Sequence, residues 1–365
     1  MTAIESAQTT DATAPAPDAD PEAVLARVLQ IANDGAICTL GSLGHELGLF
    51  DTLAGLPPVT SAQLADAAGF QERWVREWLG GMVTAGFVEY VPADRTYYLC
   101  PDHAPFLTGR TPDNLARMMR YNALWGQVQP KVVRAFREGG GLTYDDYPGF
   151  HAIQAEESAS VNDSSLVSTI MPVAGVEDRL RAGIDVADVG CGEGHAINLL
   201  ARAYPASRFW GFDFSPDAIA IARAEAEEWG LTNATFVVCD VASPIAEPAS
   251  YDLVTAFDTI HDQAHPATVL ANAREALRPD GTFLVVDIKS SSNLEENLDL
   301  PWASFLYATS LFHCMAVSLG QGGEGLGTVW GVQTAERMLH DAGFSDVVVH
   351  DLEEDPFNAY FVARP

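Results

Sequence analysis

The chain has 365 residues, a length that favours two domains over a single core. Its composition is globular, 48% hydrophobic and 19% charged, but 50 acidic residues against 20 Lys plus Arg leave a formal charge of -30. That balance repels polyanions and argues against nucleic acid and anionic membrane as partners. The five cysteines (Cys38, Cys100, Cys191, Cys239, Cys314) are odd in number and contain no C-x-x-C pair. They oppose a disulfide framework and a thiolate zinc site, and they fit a reducing cytoplasm.

Residues 1–20, rich in Ala, Pro, Asp and Thr, read as a disordered tail. They have neither the pattern of a signal peptide nor that of an anchor, and no later apolar run is read as approaching 18 residues. Residues 21–140 read as a helical, winged-helix domain. Apolar spacing of three and four begins at Pro21, with breaks expected at Gly35, Gly41 and Gly48. Thr60 or Ser61 can cap a short helix, Gly69 turns it, a second helix passes Trp74, and two short strands flank Pro92-Ala93-Asp94. Between Pro57 and Cys100 three arginines (Arg73, Arg76, Arg95) face five acids (Asp66, Glu72, Glu77, Glu89, Asp94), so dimerisation and covering of a substrate suit this module better than DNA.

Residues 141–183 read as a hinge and linker helices. In GGGLTYDDYPGFHAIQ, Tyr144, Tyr147, Phe150 and His151 either face a ligand or pack the domain junction. From residue 184 to 365, apolar strand-like runs alternate with amphipathic helical ones: IDVADVG, RFWGFD, TFVVCD, YDLVTAFD and TFLVVDI are the strands. This is a doubly wound α/β domain with a mostly parallel sheet. The last two strands, DVVVHDLE and NAYFVARP, are too close in sequence for a parallel crossover and must be antiparallel.

Asp188-Val189-Gly190-Cys191-Gly192-Glu193-Gly194 falls where the first strand turns into a helix. Three alternate glycines let backbone pass close to a ligand at a helix N-terminus. A dinucleotide fingerprint needs G-x-G-x-x-G; the shorter form, with Asp188 and Glu193 beside it, favours a cationic ligand such as an ammonium or a sulfonium. Asp213 ends the second strand, where a carboxylate can take both ribose hydroxyls, and Asp240 ends the third, where it can accept from an adenine amine.

With these residues the chain resembles the class I S-adenosylmethionine-dependent methyltransferases. The resemblance runs over roughly residues 184–365 and rests on DVGCGEG, GFDFS and VVCDV. It implies a Rossmann-like sheet and S-adenosyl-L-methionine as methyl donor. It also implies cofactor contacts from Asp188, Gly190, Gly192, Gly194, Asp213, Phe214, Asp240, Val241 and Asp258. The N-terminal half is similar to the dimerisation part of small-molecule methyltransferases of plants and actinobacteria, which implies a homodimer.

The stretch FDTIHDQAHP closes the fourth strand, so His261 and Asp262 sit where a substrate must be. A neutral imidazole there can take a phenol or alcohol proton, as the His-Asp pair of similar O-methyltransferases does. His265 precedes Pro266 and is pushed out of helical geometry, which removes it as a second ligand. The apolar insertion after the fifth strand, residues 289–331, carries His313 between Phe312 and Cys314. His313 reads either as a core histidine or as the third member of a two-histidine, one-carboxylate metal set with His261 and Asp262. That set is similar to the one in metal-dependent α-keto acid C-methyltransferases of the phenylpyruvate type, where it holds iron or a similar ion.

These readings favour metal-assisted C-methylation at the β-carbon of a 2-oxo acid, with a divalent ion (Fe, Zn, Ni or Co) stabilising the enolate. O-methylation with His261 as general base and no metal is the second reading. A winged-helix regulator that only senses S-adenosylmethionine is the third.

Overall fold

The computed structural model describes residues 20–353 and 355–365. The expected tail therefore lies outside the described residues except for Asp20, which caps the first helix, Pro21–Glu46, by accepting from the Glu22 amide at 3.1 Å. That helix does not break at Gly35 or Gly41. A Cβ on Gly41 would collide with Met119, and one on Gly44 would lie 2.6–2.7 Å from the Phe50 and Trp78 rings. Those two glycines are packing notches within the helix rather than stops; the turn comes at Gly48, with φ of 62°.

The winged-helix order is present. A capping box at Thr60 and Gln63 starts the helix Ser61–Ala68, and Gly69 ends it in the left-handed region. The helix Glu72–Thr84 follows, then strands β1 (Val88–Val91) and β2 (Thr96–Leu99) in an antiparallel hairpin. Phe50, Leu64, Leu79 and Met82 are fully buried at the centre of this unit. In the linker, after Arg120–Glu138 and a short turn at Tyr144–Asp146, residues 150–173 form one helix that widens to π geometry over Asn162–Ile170.

The second domain holds a seven-stranded sheet: β3 (Asp185–Val189), β4 (Arg208–Asp213), β5 (Ala234–Val238), β6 (Tyr251–Phe257), β7 (Leu277–Ile288), β8 (Asp346–Leu352) and β9 (Asp355–Arg364). The order is β5-β4-β3-β6-β7-β9-β8. Strands β3 to β7 are parallel, and β9 runs antiparallel between β7 and β8. Helices bury both faces, one core around Ile197, Leu200 and Ile219, the other around Ile260, Leu270 and Phe344. Chain order reverses between β3 and β6, and in open α/β sheets a ligand crevice forms at the carboxyl ends on either side of such a switch.

The reading that no apolar run approaches 18 residues is corrected. Ala303–Gly320 is an 18-residue helix of mean hydropathy 1.3, and Pro21–Glu46 contains a window of mean hydropathy 1.2. The first is apolar because it packs over the crevice, with Leu306, Cys314, Ala316 and Val317 buried; the second is exposed on the described chain.

Candidate active site at the switch between β3 and β6

Asp188 pairs in register with Thr255 of β6, whose hydroxyl donates to Asp188 Oδ1 at 2.7 Å. Burial pushes this carboxyl up to about 7, although the Thr255 bond opposes the shift. Gly190, Gly192 and Gly194 all have positive φ, at 73°, 53° and 72°. A Cβ on Gly190 would strike Thr259 and one on Gly194 would lie 2.5 Å from Ala222 and Phe236, whereas Gly192 faces open space. The outer two glycines let the turn pack, and the middle one leaves room for a ligand.

Asp213 Oδ2 accepts from the Gly192 amide and Oδ1 from the Ser215 amide, both at 2.9 Å. The second strand's acid thus braces the glycine turn. Phe214 is half-exposed beside it, and Asp240, exposed just past β5, accepts from the Ala242 amide at 2.9 Å. Val241 differs: its side chain is buried in the core and its carbonyl accepts from Asn272, which leaves Asp240 as the solvent-facing member of that pair. Asp258 turns the chain out of β6 with φ of 54°, and its Oδ2 accepts from Gln154 of the linker helix at 3.3 Å.

His261 lies in a single turn, Ile260–Asp262, and is 3% exposed. Its Nδ1 is 2.8 Å from Asp287 Oδ1. Asp287 ends the buried part of β7 and also accepts from Trp330 Nε1 at 3.1 Å and from the Ile288 amide at 2.8 Å. Burial alone would lower His261, but Asp287 and the Cys314 thiol hold it well above the ordinary imidazole range. Asp287 was not among the expected site residues. Its signal was present: TFLVVDI, like the strands of Asp188, Asp213 and Asp240, ends in an acid that no turn requires.

Asp262 Oδ2 accepts from the Tyr144 hydroxyl at 2.9 Å, and burial raises its carboxyl to about 6. His313 sits in a π-helical turn, Ser310–Cys314, inside the long helix of the insertion. Its ring stacks on Phe150 at 3.6 Å, with Tyr147 and Tyr144 edge-on at 4.9 and 5.5 Å. Burial first, then the nearby His261 and His151, push His313 down to about 3, so the imidazole is neutral, and its buried Nε2 has no partner. The linker aromatics therefore do both jobs considered for them: they pack the domain junction and they wall the site. His265 is an exposed loop residue before Pro266, as expected.

The three donors read from sequence as a metal set, His261, Asp262 and His313, lie in one buried neighbourhood: the Tyr144 hydroxyl donates to Asp262 at 2.9 Å, its ring meets His313 edge-on at 5.5 Å, and His261 is close enough to help lower the His313 imidazole. Among the described residues, the His, Cys and acidic side chains whose donor atoms lie within 4.8 Å of one another are Asp258, His261 and Asp287. Asp262 is instead held by Tyr144, and His313 is held by aromatic stacking. The glycine-rich segment after the long helix is tied to the site: the Gly327 amide donates to the His261 carbonyl at 3.1 Å and the Glu324 amide to the Ala264 carbonyl at 3.1 Å.

Residues 180–343 match a family described as a methyltransferase domain, and residues 35–109 match the Rv2258c-like winged HTH domain. The chain carries a class I methyltransferase domain behind a winged-helix domain. Over 107 residues it is 34% identical to a ubiquinone biosynthesis O-methyltransferase of Methylobacterium sp. (strain 4-46), covering 29% of this chain and 42% of that protein. Over 130 residues it is 33% identical to the nocamycin O-methyltransferase of Saccharothrix syringae, covering 34% of this chain and 45% of that one. The matches thus span less than half the length of these relatives. The whole architecture is similar to human N-acetylserotonin methyltransferase in complex with S-adenosylmethionine, with a TM-score of 0.67, 19% identity and coverage of 95% of this chain and 99% of that one. The mitomycin 7-O-methyltransferase gives a TM-score of 0.68 at 19% identity, covering 94% and 98%. The glycine turn and the row of strand-end acids all fall within the matched residues 180–343.

Proposed function

We propose that this protein is an S-adenosylmethionine-dependent methyltransferase that deprotonates a neutral hydroxyl-bearing small molecule at His261 and directs the methyl group to its oxygen. The observation that carries the reading is the buried His261–Asp287 pair at 2.8 Å, beside the switch point of a methyltransferase sheet. Bound between Asp188 and Asp213, the donor supplies an electrophilic methyl on a cationic sulfur.

Asp287 fixes the His261 ring through Nδ1 and leaves Nε2 for the acceptor's proton. The cationic sulfonium lowers the pKa of the nearby imidazolium, so His261 loses its own proton as the site fills and then acts as base, a contribution of about 10² to 10⁴ in rate. Tyr144, Tyr147, Phe150 and His313 supply an aromatic, water-excluding wall. The charge around the base selects the acceptor. Among the described residues, Asp188, Asp213, Asp258, Asp262 and Asp287 form no ion pair with Lys or Arg. A 2-oxo acid would bring a further negative charge into that group, whereas a neutral phenol or alcohol would not.

Metal-assisted C-methylation of a 2-oxo acid is supported by one feature, the neutral and unpartnered Nε2 of His313. The two readings separate in one assay: turnover of a phenol panel and of phenylpyruvate, before and after chelation, with metal analysis of the same protein. O-methylation predicts phenol turnover indifferent to chelator and a loss of less than about tenfold in His313→Ala, with a loss of about 10² to 10⁴ in His261→Ala. Turnover confined to the 2-oxo acid, abolished by chelator and by His313→Ala, would overturn it. The same reading takes the protein as a cytoplasmic homodimer, with all five cysteines free.

A further inference from the structure

Two carboxylates converge on one nitrogen of His261. Asp287 Oδ1 is 2.8 Å from Nδ1 and Asp258 Oδ1 is 3.8 Å from it. Each acid also has an oxygen that nothing satisfies: Asp258 Oδ1 and Asp287 Oδ2 are buried and without a hydrogen-bond partner. Asp287 is 0% exposed. A buried acceptor left unsatisfied costs about 1–3 kcal/mol, and more when charged, so two such oxygens beside one imidazole mark a position built for a positive ligand. One donor atom from each of Asp258, His261 and Asp287 lies within 4.8 Å of the others. Metal–ligand bonds of about 2.0–2.2 Å place neighbouring donors roughly 3–3.6 Å apart, so the 3.8 Å Asp258 pair needs to close only slightly and the 2.8 Å Asp287 pair needs to open by a similar amount.

We propose that Asp258, His261 and Asp287 form a divalent-cation site on the Nδ1 side of His261, sharing only that residue with the His261–Asp262–His313 set and suited to a transition ion such as Mn²⁺, Fe²⁺, Co²⁺ or Zn²⁺. One imidazole and two carboxylates match that borderline class better than Ca²⁺ or Mg²⁺. The half-exposed Asp258 is the entry. Coordination at Nδ1 displaces the proton that His261 shares with Asp287, so the ion and the oriented base exclude each other. On the proposed role of His261, the loaded protein is inhibited; the binding itself does not depend on that role.

The test is a Co²⁺ titration of the full-length protein in excess Mg²⁺, which occupies the surface acids. It follows visible absorption and the emission of Trp330, whose Nε1 is 3.1 Å from Asp287 Oδ1. The expected result is one saturable site, weakened by Asp258→Asn and by Asp287→Asn beyond the 10- to 100-fold typical of losing an outer partner, and unchanged in Asp262→Asn and His313→Ala. Asp258→Asn, isosteric and half-exposed, carries the test if circular dichroism finds Asp287→Asn unfolded. No saturable Co²⁺ spectrum, or one lost in His313→Ala but kept in Asp258→Asn, overturns the site. Retained binding together with absent phenol turnover would count against the proposed reaction and not against the ion.

Discussion

Asp188 illustrates how one buried acid can set the pH response of donor binding. It has a single hydroxyl donor, Thr255, and burial raises it to about 7. A cationic donor binds the ionised form, so at lower pH each binding event must first expel a proton. The sign follows: affinity rises with pH up to about 7 and levels off above it. A pKa of about 7 gives an S-adenosylmethionine Kd roughly tenfold tighter at pH 8 than at pH 6. Calorimetry at the two values checks this, and Asp188→Asn, which cannot ionise, should bind weakly with no slope. A flat profile in the unaltered protein would remove Asp188 from the donor site.

The long helix Ala303–Gly320 reaches the site through an unusually close backbone contact. The Leu142 amide donates to the Ala316 carbonyl at 2.9 Å. A Cβ on Gly141 or Gly320 would overlap backbone of the opposing segment. Neither glycine has a positive φ, so the requirement is steric. Gly320→Ala is therefore expected to cost about 1–3 kcal/mol, as overpacking does, seen as a fall in Tm of roughly 2–4 °C per kcal/mol. It should also weaken turnover more than donor binding, because it displaces His313 and Cys314 and leaves the glycine turn alone; unchanged melting and turnover would show that the segments can part without loss. This contact also marks where sequence reasoning stopped. The strands, the glycine turn and the strand-end acids were legible because each is local: a near-continuous apolar run, as strands buried on both faces show, followed by a turn residue with a reason to be there. The aromatic wall was legible only as composition, since which ring faces which depends on a π-helical turn at Ser310–Cys314 that a 3.6-residue period does not encode. His261, Asp262 and His313 were likewise visible as chemistry, but the Tyr144 and Phe150 contacts that hold Asp262 and His313 were not, and Asp287 went unremarked in a strand that looked like core.

At the scale of the whole molecule, the charge of -30 decides how the chain can associate. Two copies repel over the range of a Debye length, about 8 Å at physiological salt, and the acids on the winged helix make the same argument against DNA. The helix Pro21–Glu46 is the exception: between Glu22 and Glu46 only Arg27 and Asp34 are charged apart from His45, and Val24, Leu25, Val28, Leu29 and Ile31 are 49–63% exposed. These residues are grouped along one region of a helix about 39 Å long, an apolar surface of the kind that marks an interaction site. In the proposed homodimer, a second copy would bring its own uncharged stripe to the same place. The resulting homodimer should tighten with added salt, since screening relieves the acidic repulsion and leaves the apolar contact intact. Light scattering after size exclusion would then give a dimer that strengthens between low and moderate NaCl, and a monomer for the double variant Leu25→Glu, Leu29→Glu with unchanged circular dichroism. A dimer that persists in the double variant would place the interface elsewhere, and one that dissociates as salt rises would mean that charge pairing, rather than this helix, holds the copies together.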